Sequence, residues 1–524
     1  MKKIITLLFF LSIALQLVAQ ELEPDYKIVP VRKKVNEIKY NSSYESPLAN
    51  YVARIYALAR QKDWPVPSEM MCLSAGDAHP VASPEFANKL LNTLIEEVII
   101  YKDSVSGVVR REPDNSILVI GWSVMEHGQW KATGEGVYFT GNPADARQEI
   151  IRQAKAKLPT LRKYYRQVNV PADTAAFMNY LQQAGTSPKK YLLEKLSHYP
   201  LVIYGEIHRR KVSWDLLKET LHDPAFSHVC GTVFMELPTH IQPLFDQFFQ
   251  LDTLNTDIVL DILSCEQMYG WQDRGMYEFI IEIWKLNRQI QNKIQIIATD
   301  SQIPFDSLQT RVDYEFYCEH NMCDRDSTMA NAIGNLLKAK TDARNCLFVV
   351  GSNHARKSSP DRPVKAGTLL AERLPQTSMF SIMTHSMISD NINCCGQIRY
   401  GLYDYLFERN GNKPTAFDLA GSPFGKEPFD ALQEVRYNPT SGNYEDFYDG
   451  YIFLAPLQDE EYDYTLYELF TDEFVAELKR RATISGSKNA WYGIPTDSVT
   501  KEKIIEAIES EKKGQNNKRF YFNF

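Results

Sequence analysis

At 524 residues the chain is too long for one hydrophobic core, and two or three domains are expected. A hydrophobic fraction of 44% and a charged fraction of 24% are those of an ordinary globular protein. A net charge of −8, with no long run of like charge, argues against a nucleic-acid partner, which selects a basic surface.

The chain opens on Met1-Lys2-Lys3, an apolar stretch from Ile4 to Ala14, and Val18-Ala19-Gln20 before Glu21. A basic start, a short apolar run and small residues form the pattern of a secretory signal peptide over residues 1–20. The run is short for a membrane span of roughly 20 residues. No later segment reads as transmembrane. The expectation is an exported protein, periplasmic or secreted, with no transmembrane segment once the signal is removed. Eight cysteines fit such a compartment but form no Cys-x-x-Cys pair, so neither a zinc ribbon nor a thioredoxin-type site is expected. Cys318 and Cys323 are close enough in sequence to bridge. The adjacent Cys394 and Cys395 are not expected to bond each other. Cys230 and Cys346 each precede an expected strand and read as small buried residues.

Residues 21–170 read as a small α+β domain. The polar lead, 21–46, is expected to be irregular. A helix follows with Leu48, Val52, Ile55 and Ala59 on one face. A second helix is expected to start at Ser83-Pro84-Glu85 and to turn Phe86, Leu90, Leu94 and Val98 inward. The period then changes to that of strands at 116–124 and 130–140, joined by a turn at His127-Gly128. Gly134 and Gly136 suggest a bulge or bend. Residues 144–165 return to helix. His79 and His127 stand alone and carry no chemistry.

From 171 to 480 strands and helices alternate. Strands are expected at 201–204, 232–235, 294–298, 347–350, 380–383 and 451–454. Helices are expected at 213–221, 241–249, 275–290, 327–339 and 367–373. Alternation of this kind specifies βαβ units. The stretch 396–450, rich in aromatic residues, Asn, Gly and Pro, reads as a long excursion before the last strand. Residues 481–524 form a C-terminal helix and tail, with a charged helix at 501–512 and an aromatic end, 519–524, read as an edge strand or frayed end. The expected fold class is therefore α/β: a mainly parallel sheet flanked by helices, with the site at the carboxyl strand edge, preceded by a small α+β domain.

Two of these strands end alike. Leu201-Val202-Ile203-Tyr204 runs into Gly205-Glu206-Ile207-His208, and Leu347-Phe348-Val349-Val350 runs into Gly351-Ser352-Asn353-His354. Glycine is expected to let the backbone turn sharply there. Between them, one strand ends in Glu236 and another in Thr299-Asp300. Arg325-Asp326 opens a helix that Asp326 or Ser327 would cap. In a parallel sheet all these groups gather at one edge, where ligands bind. A histidine takes a proton from water, a carboxylate orients it, and an arginine stabilises an oxyanion. Two histidines and a carboxylate also suit a divalent metal with an open position. The spacing leaves both chemistries open. There is no Gly-x-Ser-x-Gly elbow and no phosphate-binding glycine loop. His222, His228, His240, His320 and His385 have no matching context and read as structural or exposed.

These residues resemble a superfamily that joins the erythromycin esterase-like proteins, the ChaN-like haem-binding lipoproteins and the TraB/Tiki proteins. The resemblance rests on Gly205-Glu206-Ile207-His208, Phe234-Met235-Glu236, Arg325-Asp326-Ser327-Thr328-Met329-Ala330 and Gly351-Ser352-Asn353-His354, with Gly367-Thr368-Leu369-Leu370 after them. It spans roughly residues 195–390 and leaves the N-terminal domain out. Likeness to the esterases implies metal-free hydrolysis of an ester or amide in a small-molecule or peptide substrate. His208 and His354 are then the bases, Glu206 and Glu236 their partners, Arg325 the electrostatic group and Asp326 its neighbour in the site. Likeness to the Tiki branch implies a metal-dependent peptidase with Mn, Co or Zn on His208, Glu236 and His354. Likeness to the ChaN branch implies haem or iron binding in the cell envelope, through a tyrosine that the sequence does not single out. The esterase motif is usually Gly-Glu-x-x-His-Gly; here Arg209 follows His208 one residue earlier, which speaks against macrolide lactone cleavage.

Overall fold

The computed structural model describes residues 26–39, 46–60, 89–111, 118–126, 129–138, 142–164, 174–265, 268–358, 364–389, 395–429, 442–456 and, from 459 to 517, all but 460, 462, 464 and 492. The expected signal peptide, His79, the expected helix start at 83–85, His127, Cys394 and the aromatic end at 519–524 lie outside these residues. The chain parts into two compact units near residue 167.

The first unit is an antiparallel sheet in the order β1-β2-β3-β4-β5, built from β1 (Tyr26–Lys34), β2 (Leu94–Tyr101), β3 (Val105–Arg111), β4 (Leu118–Glu126) and β5 (Gln129–Tyr138). Helices α1 (Pro47–Arg60) and α2 (Pro143–Tyr164) pack on it through two glycine niches. A Cβ on Gly121 would strike the Tyr51 ring of α1, and one on Gly107 would strike Ile150 of α2. Two expectations fail here. Part of the polar lead is the edge strand β1, most of whose side chains face solvent, so no apolar alternation announces it. Leu94 and Val98 belong to strand β2, where Ile95, Val98 and Ile99 are buried. Residues four apart share a face in a strand as in a helix, and the β-branched run decides for the strand. The β4–β5 ladder slips by one residue beside Gly134.

The second unit is built on a seven-stranded sheet. Its strands are β6 (Leu201–Glu206), β7 (Cys230–Pro238), β8 (Gln295–Asp300), β9 (Asn345–Gly351), β10 (Met379–Thr384), β11 (Thr415–Asp418) and β12 (Gly450–Phe453), in the order β11-β12-β10-β6-β9-β7-β8. All neighbours are parallel except β11, which runs antiparallel to β12 at one edge. Strands β6, β7 and β10 are buried along their whole length, as a sheet covered on both faces requires. Its helices include α3 (Lys211–Leu221), α4 (Arg274–Asn287), α5 (Arg311–His320), α6 (Arg325–Ala339), α7 (Ala366–Arg373), α8 (Leu402–Arg409), α9 (Asp472–Ser485) and α10 (Lys501–Asn517).

Within the stretch 396–450, expected to be a mere excursion, lie α8 and β11. Their aromatic residues explain the composition: Phe407 stacks on Phe453 with centroids 4.1 Å apart, and Tyr403, Phe417 and Phe424 surround them. His385 is buried in this cluster, with Nδ1 2.7 Å from the Tyr451 hydroxyl and Nε2 3.1 Å from Asp404, a structural role. Cys230 and Cys346 are buried thiols, and Cys318 and Cys323 are not bridged. Among the described residues no helix is long and apolar enough to cross a membrane.

Candidate functional site

The carboxyl ends of β6, β7, β8 and β9 are neighbours, because the sheet interleaves β9 between β6 and β7. Glu206 is the last residue of β6 and Gly351 the last of β9, and the two are register partners. Glu236 stands on a bulge. Met235 pairs with Ala298 but Pro238 pairs with Asp300, so β7 spends one more residue than β8 over that step. A bulge re-aims a side chain, and the Glu236 carboxylate turns to β9, where Oε2 accepts the Gly351 N–H at 2.8 Å.

Seven residues singled out from the sequence meet here. His208 donates through Nδ1 to Glu206 Oε1, and its Nε2 is 4.0 Å from Glu236 Oε2. His354 donates through Nδ1 to Asp326 Oδ1 at 2.5 Å, and its Nε2 is 3.6 Å from Glu236 Oε1. Neither Nε2 distance to Glu236 is a hydrogen bond, so both nitrogens have a lone pair or proton to offer a third group. Arg325 opens α6 and bridges two strand ends. Its Nη2 donates to Glu236 Oε1 at 2.8 Å and to Asp300 Oδ2 at 2.5 Å, with Nε 3.0 Å from both Asp300 oxygens. Asp300 is fully buried and also accepts the Ser301 N–H and the Gln302 amide. Asp326 accepts the Ala366 N–H at 2.7 Å besides His354. The cap of α6 is Asp324, which accepts the Ser327 N–H at 2.7 Å, and not Asp326 or Ser327.

The motif glycines do not make the turns expected of them. Gly205 and Gly351 lie inside strands and are absent from the left-handed region. They are needed for closeness. A Cβ on Gly351 would stand 3.0 Å from His208 Cε1 and Nε2, and one on Gly205 would stand 2.8 Å from the Ile382 carbonyl. The left-handed residue is Arg209, at φ 67°. A non-glycine residue there costs roughly 1 kcal/mol or more. Its peptide is held from both sides, the N–H by Asp273 Oδ2 at 3.2 Å and the carbonyl by the Asp463 N–H at 2.7 Å. Trp271 faces His208 edge-on, with ring centroids 5.0 Å apart. Trp271 and Asp273 were not legible in the sequence. They reach the site on the approach to α4, where no strand ends and no motif marks them.

Charge acts strongly on His208. Burial alone would lower the His208 pKa, but the Glu206 carboxylate, and behind it Glu236 and Asp273, push it up to about 10. Its side chain keeps 42% of its surface open to solvent, against 17% for His354, so water screens part of this field. Burial would raise the Glu236 pKa; His208, His354, Arg325 and the Gly351 N–H outweigh it and hold the carboxyl lowered. The site is thus a cationic His208 and a guanidinium set around buried carboxylates.

Among the described residues no group of three His, Cys, Asp or Glu side chains is arranged to hold a metal ion. Both Glu236 oxygens are taken, one by the Arg325 guanidinium and the other by a backbone N–H. A divalent ion on His208, Glu236 and His354 would have to displace or face that guanidinium, so the residues as placed do not fit one.

No family model and no curated protein sequence matches the chain. Among solved structures it is similar to a Bacillus cereus protein of structural-genomics origin, at a TM-score of 0.35 and 12% identity over 54% of this chain and 97% of that one. It is also similar to a succinoglycan biosynthesis protein, at a TM-score of 0.36 and 12% identity with the same coverage. A mutant erythromycin esterase in its open conformation is similar at a TM-score of 0.35 and 11% identity, over 50% of this chain and 92% of that one. TM-scores of this size carry no functional argument.

Proposed function

We propose that the chain is a hydrolase that cleaves an ester or amide, with His354 as general base and His208 as general acid. The carrying observation is that each histidine spends Nδ1 on a buried carboxylate and turns Nε2 towards one shared centre beside Glu236. His208, held as a cation, has no lone pair to take a proton, which leaves that role to His354. In this scheme His354 Nε2 takes a proton from water as the water oxygen adds to the substrate carbonyl. The His208 Nε2–H supports the oxyanion and then passes its proton to the departing oxygen or nitrogen. Proton transfer from His354 back to His208 restores both. Glu236, fixed by Arg325 and Gly351, balances the charge of the two rings.

The test is turnover by the purified full chain on a panel of esters, lactones and peptides. His354→Ala is expected to lower kcat by about 10²- to 10⁴-fold with the circular dichroism spectrum unchanged. The reading falls if the panel shows no turnover, or if His208→Ala and His354→Ala leave turnover as it was. Elemental analysis and absorbance on the same sample decide the other chemistries. Stoichiometric Mn, Co or Zn lost on Glu236→Ala would replace this scheme with a metal-dependent one, and a Soret band on haem addition, lost on altering the site, would replace it with haem binding. We propose further that the chain is exported, which N-terminal sequencing of the protein from its native compartment tests by a start near Glu21.

A further inference from the structure

The ring and the backbone of His354 are both held by the first turn of α7. The ring donates through Nδ1 to Asp326 Oδ1, and that same oxygen accepts the N–H of Ala366, the first residue of α7, at 2.7 Å. The His354 carbonyl accepts the N–H of Gly367, the second residue of α7, at 2.8 Å. The first N–H groups of a helix have no partner within it, and Lys365, which precedes α7, gives them no side-chain cap. The carboxylate and the carbonyl take that place. The approach is close. A Cβ on Gly367 would stand 2.5 Å from the Ala355 carbonyl oxygen and 2.7 Å from that of Arg356. Neither carbonyl is loose, since the Ser381 hydroxyl donates to the first at 2.5 Å and the Thr368 hydroxyl to the second at 3.0 Å.

The hydrolytic scheme needs the lone pair of a neutral His354 on Nε2. Which nitrogen of a neutral imidazole carries the proton is set by its hydrogen bonds. Glu236 Oε1, 3.6 Å from Nε2, draws the proton the wrong way. The Ala366 N–H works against that pull. A backbone N–H can only donate, so it favours Oδ1 as the acceptor of a carboxylate over the hydroxyl of an acid. The hydrogen between Oδ1 and Nδ1 then stays on nitrogen. We propose that Gly367 is a positioning residue for the base: lacking a Cβ, it lets the first turn of α7 reach Asp326 and the His354 carbonyl together, and this contact holds the neutral ring in its Nδ1–H form. The proposal rests on the reading of His354 as general base.

The experiment takes the full chain labelled with nitrogen-15 at histidine. The His354 nitrogens, and the His208 Nδ1–H resonance beside them, are identified by their loss in His354→Ala and His208→Ala. At a pH where the His354 ring is neutral, wild type should carry its proton on Nδ1 and none on Nε2. Gly367→Ala should move the proton to Nε2 in a measurable share of molecules. A wild-type proton on Nε2 overturns the proposal. So does a Gly367→Ala protein whose His354 nitrogens are those of wild type, however much stability it has lost. Where Gly367→Ala does not fold, Ala366→Pro decides. Proline suits the first position of a helix. Lys365, at φ −95° and ψ 159°, already has the extended backbone of a residue before proline. The change removes the N–H given to Asp326 and should move the proton in the same way; unchanged nitrogens overturn the proposal. These readouts need no substrate, so they fail separately from the hydrolase reading. On a substrate that is turned over, both variants should lose about tenfold or more in kcat at little change in KM.

Discussion

His208 and His354 make the same Nδ1 bond and differ in what lies around it. Glu206, Glu236 and Asp273 all act on His208, whose pKa is raised to about 10 against the burial that opposes it. A histidine held charged in this way can give a proton at neutral pH. It also links stability to pH. A group whose folded pKa lies above its unfolded value of about 6.5 adds stability that is fully present below that value and lost as pH rises through the folded pKa. Unfolding curves should therefore show wild type losing stability between about pH 7 and pH 10, and His208→Ala losing much less of it over the same window. Parallel curves would show that His208 is not held as a cation. The gathering of Glu206, His208, Glu236, Arg325, Asp326 and His354 was legible in the sequence, because each ends a strand or opens a helix. Asp273 was not, since a residue reaching a site from a connecting segment leaves no periodic trace.

Elements place these residues to within a fraction of an ångström, and a glycine and a bulge do most of the placing. Gly351 leaves no room for a Cβ beside the His208 ring, and its N–H fixes Glu236. Gly351→Ala should push the ring by a few tenths of an ångström, lowering kcat about tenfold while shifting thermal unfolding little. Unchanged kcat would show that the close approach is incidental. The strand and helix order of the second unit was legible because fully buried parallel strands read as apolar runs. Edge strands were harder. β1 lies at a sheet edge with most of its side chains exposed, and β11 is short and embedded among aromatic residues, so neither shows the run or the alternation that marks a strand. The bulge in β7 was not legible either, because it exists only in the register with β8.

At the scale of the whole second unit, the sheet sets the order in which the chain visits the site: β6, β7, β8, the start of α6, then β9. Between β8 and α6 the chain leaves the site and comes back. Asp300 and Arg325, the residues on either side of that departure, are bonded to each other. The segment between them packs elsewhere, through Phe305 and Leu308 against Ile484 of α9, with Arg480 donating to the Phe305 and Leu308 carbonyls. Its helix, α5, buries no residue fully and leaves Val312, Phe316 and, just beyond, Met322 exposed. The ion pair thus ties together the two ends of the segment where the chain leaves and rejoins the site. Replacing residues 305–321 with a short glycine–serine bridge should leave the Arg325 ion pair and the histidine pairs intact, so that the His208 Nδ1–H resonance persists. A resonance lost along with the segment would mean that ion pair and segment are one piece. If they are separable, the ends of β8 and α6 are held by their own ion pair and not by the segment between them.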